Sequence, residues 1–231
     1  MQSSKTCSAA RTVALLALLG GAASLSSHAA TSAPKHPTAG RVSAAASTTL
    51  HSKIHWVPVR QGAKTLRTLD TRSRLLLARS AAQSAGLATV GLSYQDVYGV
   101  IEAETSWVPR DGMGRNGVTS TGLAQFEPTT AKGLGLKDAN DPVQAVHAAA
   151  VYMKQGAQWA AHKIAHLKLS PAQYATKLRE GVSVFYNLSV RGRNKWDGVN
   201  TAQLPVETQR HIRNVRSGAQ EALALAANAT A

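Results

Sequence analysis

The chain has 231 residues, with 26 Lys or Arg against 12 Asp or Glu and a formal net charge of +14. A field of that sign favours anionic polymers, and one cysteine excludes an internal disulfide. At 5% aromatic residues, the chain lacks the interleaving of basic and stacking side chains that single-stranded nucleic-acid sites use.

In chain order, Lys5 and Arg11 precede an apolar run from Thr12 to about Leu25, and Ser27-His28-Ala29 follows. This is the pattern of a secretory signal peptide over residues 1–29, cut after Ala29, and the run is shorter than the roughly 20 residues a membrane span needs. Stable membrane insertion is therefore not expected. Cys7 lies ahead of the apolar run, where a lipid-attachment cysteine does not sit, so cysteine chemistry drops out of the exported chain. Cleavage removes only Lys5 and Arg11 of the basic residues and none of the acids. The exported chain stays strongly basic, and the polyanion it is expected to meet is cell wall, anionic glycan or lipid headgroup, with no nucleic acid. Residues 30–63 read as a flexible basic tether. From Ala30 to about Leu50 the composition is Ser, Ala, Thr and Pro, too poor in large apolar side chains to offset the entropy of ordering. "KIHWVPVR" adds a short extended segment around Trp56, favoured by Pro58.

Helical signals dominate after that. Asp70 or Thr71 caps a helix carrying Leu75, Leu76, Leu77 and Ala81, which Gly86 stops. Ser93 and Asp96 form a capping box for a helix through "YGVIEAETSW", Tyr98 to Trp107. A long glycine-rich loop runs from Pro109 to Thr129. Asp141-Pro142 starts a helix through Val146, Ala149 and Met153, Ser170-Pro171 another through Leu178, Val182 and Phe185, and Pro205 a last one through Ile212 and Val215.

Two glutamates interrupt the apolar run of the second helix. At about 100° per residue, with Val97 at zero, Ile101 falls near 40°, Tyr94 near 60°, Val100 near 300° and Glu104 near 340°. Glu104 thus sits in the middle of the apolar stripe, whereas Glu102, near 140° beside Gln95, reads as a solvated residue. A buried, unpaired carboxylate costs several kcal/mol. Burial and the helix C-terminus both act to raise the pKa of such a group, in the direction a general acid requires. A buried ion pair to an arginine is the competing reading, and spacing alone leaves the two open.

Five segments in order carry a resemblance: "IEAETSWVP", "TGLAQFEPTTAKGLGL", "DPVQAVHAAAVYM", "VFYN" and "LPVETQRHIRNV". Together, over roughly Leu75 to Val215, they resemble the soluble lytic transglycosylase (SLT) domain, related to goose-type lysozyme. The resemblance implies a mainly α, lysozyme-like catalytic domain over residues 64–228, with the glycine-rich loop lining a glycan cleft. It implies a peptidoglycan lytic transglycosylase that cleaves glycan strands and needs no metal or cofactor, with envelope machinery as a conceivable further partner. The family's catalytic glutamate corresponds to Glu104, with Thr105 where a serine is usual. Its Gly-Leu-Met-Gln segment corresponds to Gly122, Leu123, Ala124 and Gln125, and its Tyr-Asn pair to Tyr186 and Asn187; Thr105, Gly122, Leu123, Gln125, Tyr186 and Asn187 are the implied substrate-binding set. Ala124 replaces a bulkier methionine, and Leu188-Ser189 follow where a small residue and glycine are usual.

The rival enzyme is a lysozyme-like hydrolase, with Asp111 or Glu127 as the second carboxylate; a catalytically weak wall-binding module is the rival of a different class. "GMGRNG", Gly112 to Gly117, matches a dinucleotide fingerprint but follows a helix end instead of a strand. "HKIAH" puts His162 and His166 one turn apart, without the glutamate of the metalloprotease motif or a third ligand. Trp107 is expected in the core, and the Asn187-Leu188-Ser189 sequon is discounted because the family likeness places it in a buried cleft.

Overall fold

The computed structural model describes residues 43–114 and 117–228. It is mainly helical: α1 (Ala44–His51), α2 (Thr71–Ala85), α3 (Tyr94–Thr105), α4 (Pro128–Gly133), α5 (Pro142–Ile164), α6 (Pro171–Asn187), α7 (Val190–Arg193) and α8 (Val206–Asn228). Two small antiparallel pairs accompany them, β1 (Trp56–Gln61) with β2 (Lys64–Leu69), and β3 (Gly112–Met113) with β4 (Thr119–Ser120). Among the described residues no helix is long and apolar enough to cross a membrane. The signal peptide expected over residues 1–29 lies outside the described residues.

The helix boundaries follow the local chemistry. Asp70 accepts from the Ser73 amide at the start of α2, and Gly86 ends it at φ 65°, a backbone conformation that costs a glycine little. Ser93 and Asp96 form the capping box of α3, Asp141 caps α5 with Pro142 behind it, and Ser170 and Gln173 form a second capping box on α6. Each device satisfies amides that the first helical turn leaves unpaired. Asp96 also meets Arg179 of α6 at 2.7 Å, which ties two helices through one capping carboxylate.

Helix α3 is the central element. It packs against α2 and α5 and most extensively against α8, while α5 lies along α2 and α6. Val97, Tyr98, Val100, Ile101, Leu77 and Val146 are fully enclosed at its contacts. The α3–α8 crossing is close enough to exclude side chains. A Cβ at Gly99 would overlap the Val215 carbonyl oxygen, and one at Gly218 would lie 2.9 Å from the Glu102 Cβ. Neither position tolerates more than hydrogen without moving backbone. This seam sets what α8 places opposite each glutamate of α3.

One expectation is corrected: of the flexible tether expected over residues 30–63, Ala44–His51 forms a helix and Trp56–Gln61 a strand, while residues 30–42 lie outside the described residues. Ser43 caps α1, Leu50 is buried, and His51 Nε2 lies 3.0 Å from Asp141 Oδ1 at the head of α5. Composition misled because one leucine suffices to dock a short helix when the neighbouring helix supplies the apolar surface. The next residues form a hairpin with Trp56 opposite Leu69 and Gln61 opposite Lys64. Pro58 is tolerated because a two-stranded ribbon has free edges. The base of the hairpin is fixed where Thr68 Oγ1 donates to the Trp107 carbonyl at 2.8 Å. The glycine-rich loop from Pro109 to Thr129 carries local pairing at its described residues: β3 pairs with β4, Thr121 bridges to Phe126, and α4 begins at Pro128.

Candidate active site

Glu104 lies in the last turn of α3, its side chain 16% exposed, and its Oε1 is 2.9 Å from Nε2 of His211 on α8. His211 is buried and its Nδ1 has no hydrogen-bond partner among the described residues. The Tyr186 ring, at the end of α6, stacks on the imidazole at 6.3 Å between centroids and 17° between planes. Its phenol donates to the Ala124 carbonyl at 2.9 Å. Burial first, and then the charge of Glu104, raise the Tyr186 pKa well above the ordinary tyrosine value, so Tyr186 stays a phenol and acts as a hydrogen-bond donor. Arg110 donates from its guanidinium to the Glu104 carbonyl at 2.7 Å, closing one of the carbonyls left open at a helix end.

The other expected residues divide by what they touch. Thr105 is buried, and its hydroxyl donates to Leu123 O at 3.0 Å; Leu123 is buried in turn. Both pin the loop to the end of α3, with their side chains buried there. Gly122 has φ 77°, and a Cβ there would overlap the Ala139 carbonyl oxygen. Only glycine fits that turn. Gln125, itself at φ 50°, donates from Nε2 to Arg110 O at 2.7 Å and Gly122 O at 3.0 Å. Its carboxamide nitrogen clamps the loop, leaving Oε1 as the atom not used in those bonds. Asn187 is exposed at the end of α6 and accepts from the Thr208 hydroxyl at 2.8 Å. That exposure corrects the reason given for discounting its sequon. Leu188 is extended after α6, and Ser189 caps α7, so the departure from the small-residue pattern builds a break and a new helical turn.

Glu102 is the larger correction. Its Oε2 is buried with no hydrogen-bond partner, so it is not the solvated glutamate the helical wheel suggested. Burial, aided by the charge of Glu221, lifts its pKa above the usual carboxylate range, against a hydrogen bond from Ser106 and the charge of Arg74. The wheel counted one apolar stripe, whereas α8 covers a second side of α3 at Gly218. Asp111 is exposed, and Glu127 stands at the head of α4.

His211 was not singled out from the sequence. The signal was there: with Thr208, Ile212 and Val215 it forms the buried stripe of α8, and a titratable side chain on such a stripe needs a partner, by the logic that selected Glu104. The pairing of the two, 107 residues apart, exists only in the folded chain.

Searches of curated proteins and of solved structures each returned no match. Residues 82–167 match the family model described as the transglycosylase SLT domain. The matched segment contains Glu104, Thr105 and the loop through Gln125; Tyr186, Asn187 and His211 lie beyond it. The mainly helical architecture agrees with the lysozyme-like fold of that family, whose activity is peptidoglycan cleavage of the lytic-transglycosylase type. By this match, residues 82–167 belong to the transglycosylase SLT domain family.

Proposed function

We propose that the chain is an exported, wall-associated peptidoglycan lytic transglycosylase, acting in the periplasm or outside the cell. It cleaves the β-1,4 bond between N-acetylmuramic acid and N-acetylglucosamine without water, leaving 1,6-anhydromuramic ends. The observation that carries this reading is the Glu104 carboxyl, with one oxygen held by a buried histidine and the side chain still partly open to solvent.

Cleavage of an acetal requires a proton on the departing oxygen, because the transition state resembles an oxocarbenium ion and an alkoxide leaves poorly. Glu104 supplies that proton as the C1–O bond breaks. The C6 hydroxyl of the same sugar then bonds to C1 and gives its proton to the Glu104 carboxylate. The enzyme is reset and no second carboxylate is used. The Gln125 Oε1 and the Asn187 amide are the polar groups this reading sets against the sugar, while Tyr186 holds the loop at Ala124. The basic surface concentrates the chain on an anionic wall.

The test is mass spectrometry of peptidoglycan digested by the mature chain and by its Glu104→Gln variant. Anhydromuramic ends made by the parent alone support the proposal. Fragments heavier by one water would make it a hydrolase and direct attention to Asp111 and Glu127. No fragments from either would leave a wall-binding module.

A further inference from the structure

We propose that His211 is a positioning residue that sorts the two oxygens of Glu104: neutral and protonated on Nε2, it holds Oε1 as an acceptor and leaves Oε2 to carry and return the catalytic proton. This rests on Glu104 being the acid and base of the site.

Three forms of the imidazole can be weighed against the geometry. His211 is only 6% exposed, its Nε2 faces Glu104 Oε1 at 2.9 Å, and its Nδ1 is buried without a partner among the described residues. The imidazolium would place an unpaired N–H at Nδ1 and bury a charge beside it, which is costly. The neutral form protonated on Nδ1 orphans that same N–H. It also turns an Nε2 lone pair toward Oε1, so that bonding requires the glutamate proton on Oε1, directed into the protein and away from any substrate. The form protonated on Nε2 leaves one lone pair unsatisfied and makes a charge-assisted bond to the carboxylate. It is the only one of the three with no orphaned donor.

The consequence for Glu104 follows from carboxylic-acid chemistry. The oxygen that accepts an N–H is the carbonyl-type oxygen, and the hydroxyl is the other one. With Oε1 occupied by His211, the proton resides on Oε2. The same N–H···Oε1 bond persists after Oε2 has lost its proton, when it stabilises the carboxylate. One contact therefore serves both halves of the cycle, and the carboxyl has no need to turn between them, as a preorganised acid–base requires. The imidazole is itself fixed. Tyr186 stacks on it and is anchored to Ala124 O, and Thr208, one turn earlier on α8, is tied to Asn187. The backbone contact of Gly99 with Val215 sets the height of α8 one turn below.

Two measurements on the full chain test this. Nitrogen NMR of histidine-labelled protein, with the His211 signals identified by their loss in His211→Gln, should show Nε2 as the protonated and Nδ1 as the unprotonated nitrogen. A protonated Nδ1 would overturn the proposal. In kinetics, His211→Leu should lower kcat by about 10- to 100-fold with KM little changed, the effect of losing one hydrogen bond to a charged group. His211→Gln, whose side-chain amide can donate to Oε1, should recover most of it. Equal losses in both variants, or a loss confined to KM, would reduce His211 to a packing residue. Should His211→Leu fail to fold, the glutamine variant and the NMR still decide. The NMR needs no turnover, so failure of the Glu104 reading, seen as an equally active Glu104→Gln, is distinguishable from failure at His211.

Discussion

The two glutamates of α3 stand two residues apart and lead different lives. Glu104 meets a histidine whose Nε2 lies 2.9 Å from one of its oxygens, and keeps part of its side chain open. Glu102 meets the glycine seam of α8, has a buried oxygen with no partner, and feels the like charge of Glu221, which itself accepts from Tyr98 at 2.8 Å. Same residue type, same helix, and both are partly buried. The difference lies in what the second helix brings: an imidazole at one place and glycine backbone at the other. Burial alone therefore does not identify a catalytic carboxyl; burial with a directed partner and a remaining open side does.

The sharpest way to break the comparison is Glu104→Gln, which should cut glycan cleavage by about 100-fold or more, the range expected for losing a general acid, while circular dichroism shows the parent fold. Cleavage surviving in that variant would remove Glu104 from the chemistry. Next in size is Gly99→Ala. Its methyl group would press on the Val215 carbonyl and should cost about 1–3 kcal/mol in urea unfolding, with activity falling because α8 carries His211 away from Glu104. Parent stability and parent activity together would mean that the seam does not set that distance.

Glu102→Gln sharpens the other side. The folded pKa of Glu102 is raised, so the folded state holds this proton more tightly than the unfolded chain does. That contribution to stability is fully present below the unfolded value, near 4.5, and is lost as pH rises through the folded one. At pH 7 the ionised carboxyl opposes folding. The glutamine variant should therefore melt at a higher temperature than the parent at pH 7, with the difference closing as pH falls toward about 4. Its cleavage rate should stay close to the parent's; an activity loss exceeding that of Glu104→Gln would invert the assignment of the two glutamates. The smallest effect is expected from salt. Binding to insoluble wall should weaken with ionic strength as exposed charge is screened, while kcat on soluble fragments, governed by the buried Glu104–His211 contact, should barely change.

Much of the helical framework was legible because its signals are local. Asp70, Ser93 with Asp96, Asp141 with Pro142 and Ser170 with Pro171 each act within one turn, and all cap where the sequence places them. Glu104 was legible as a carboxyl on an apolar stripe. The helix from Ala44 to His51 was not, because Leu50 and His51 gain their partners from elements far along the chain. The inward turn of the Thr105 hydroxyl was missed for the same reason: its acceptor is a carbonyl 18 residues away.

The sequence by itself determined where the main helices start, where α2 stops, which face of α3 is apolar, and a run of motifs that the transglycosylase SLT domain match supports over residues 82–167. Tertiary structure alone decided that Glu102 has a buried oxygen, that Glu104 has a histidine, and that Tyr186 stacks on that histidine. The physical reason is range: caps and periodicity are set within a few residues, whereas the environment of a carboxyl is set by whichever helix crosses it, here at a contact between two glycines 119 residues apart in sequence, Gly99 and Gly218.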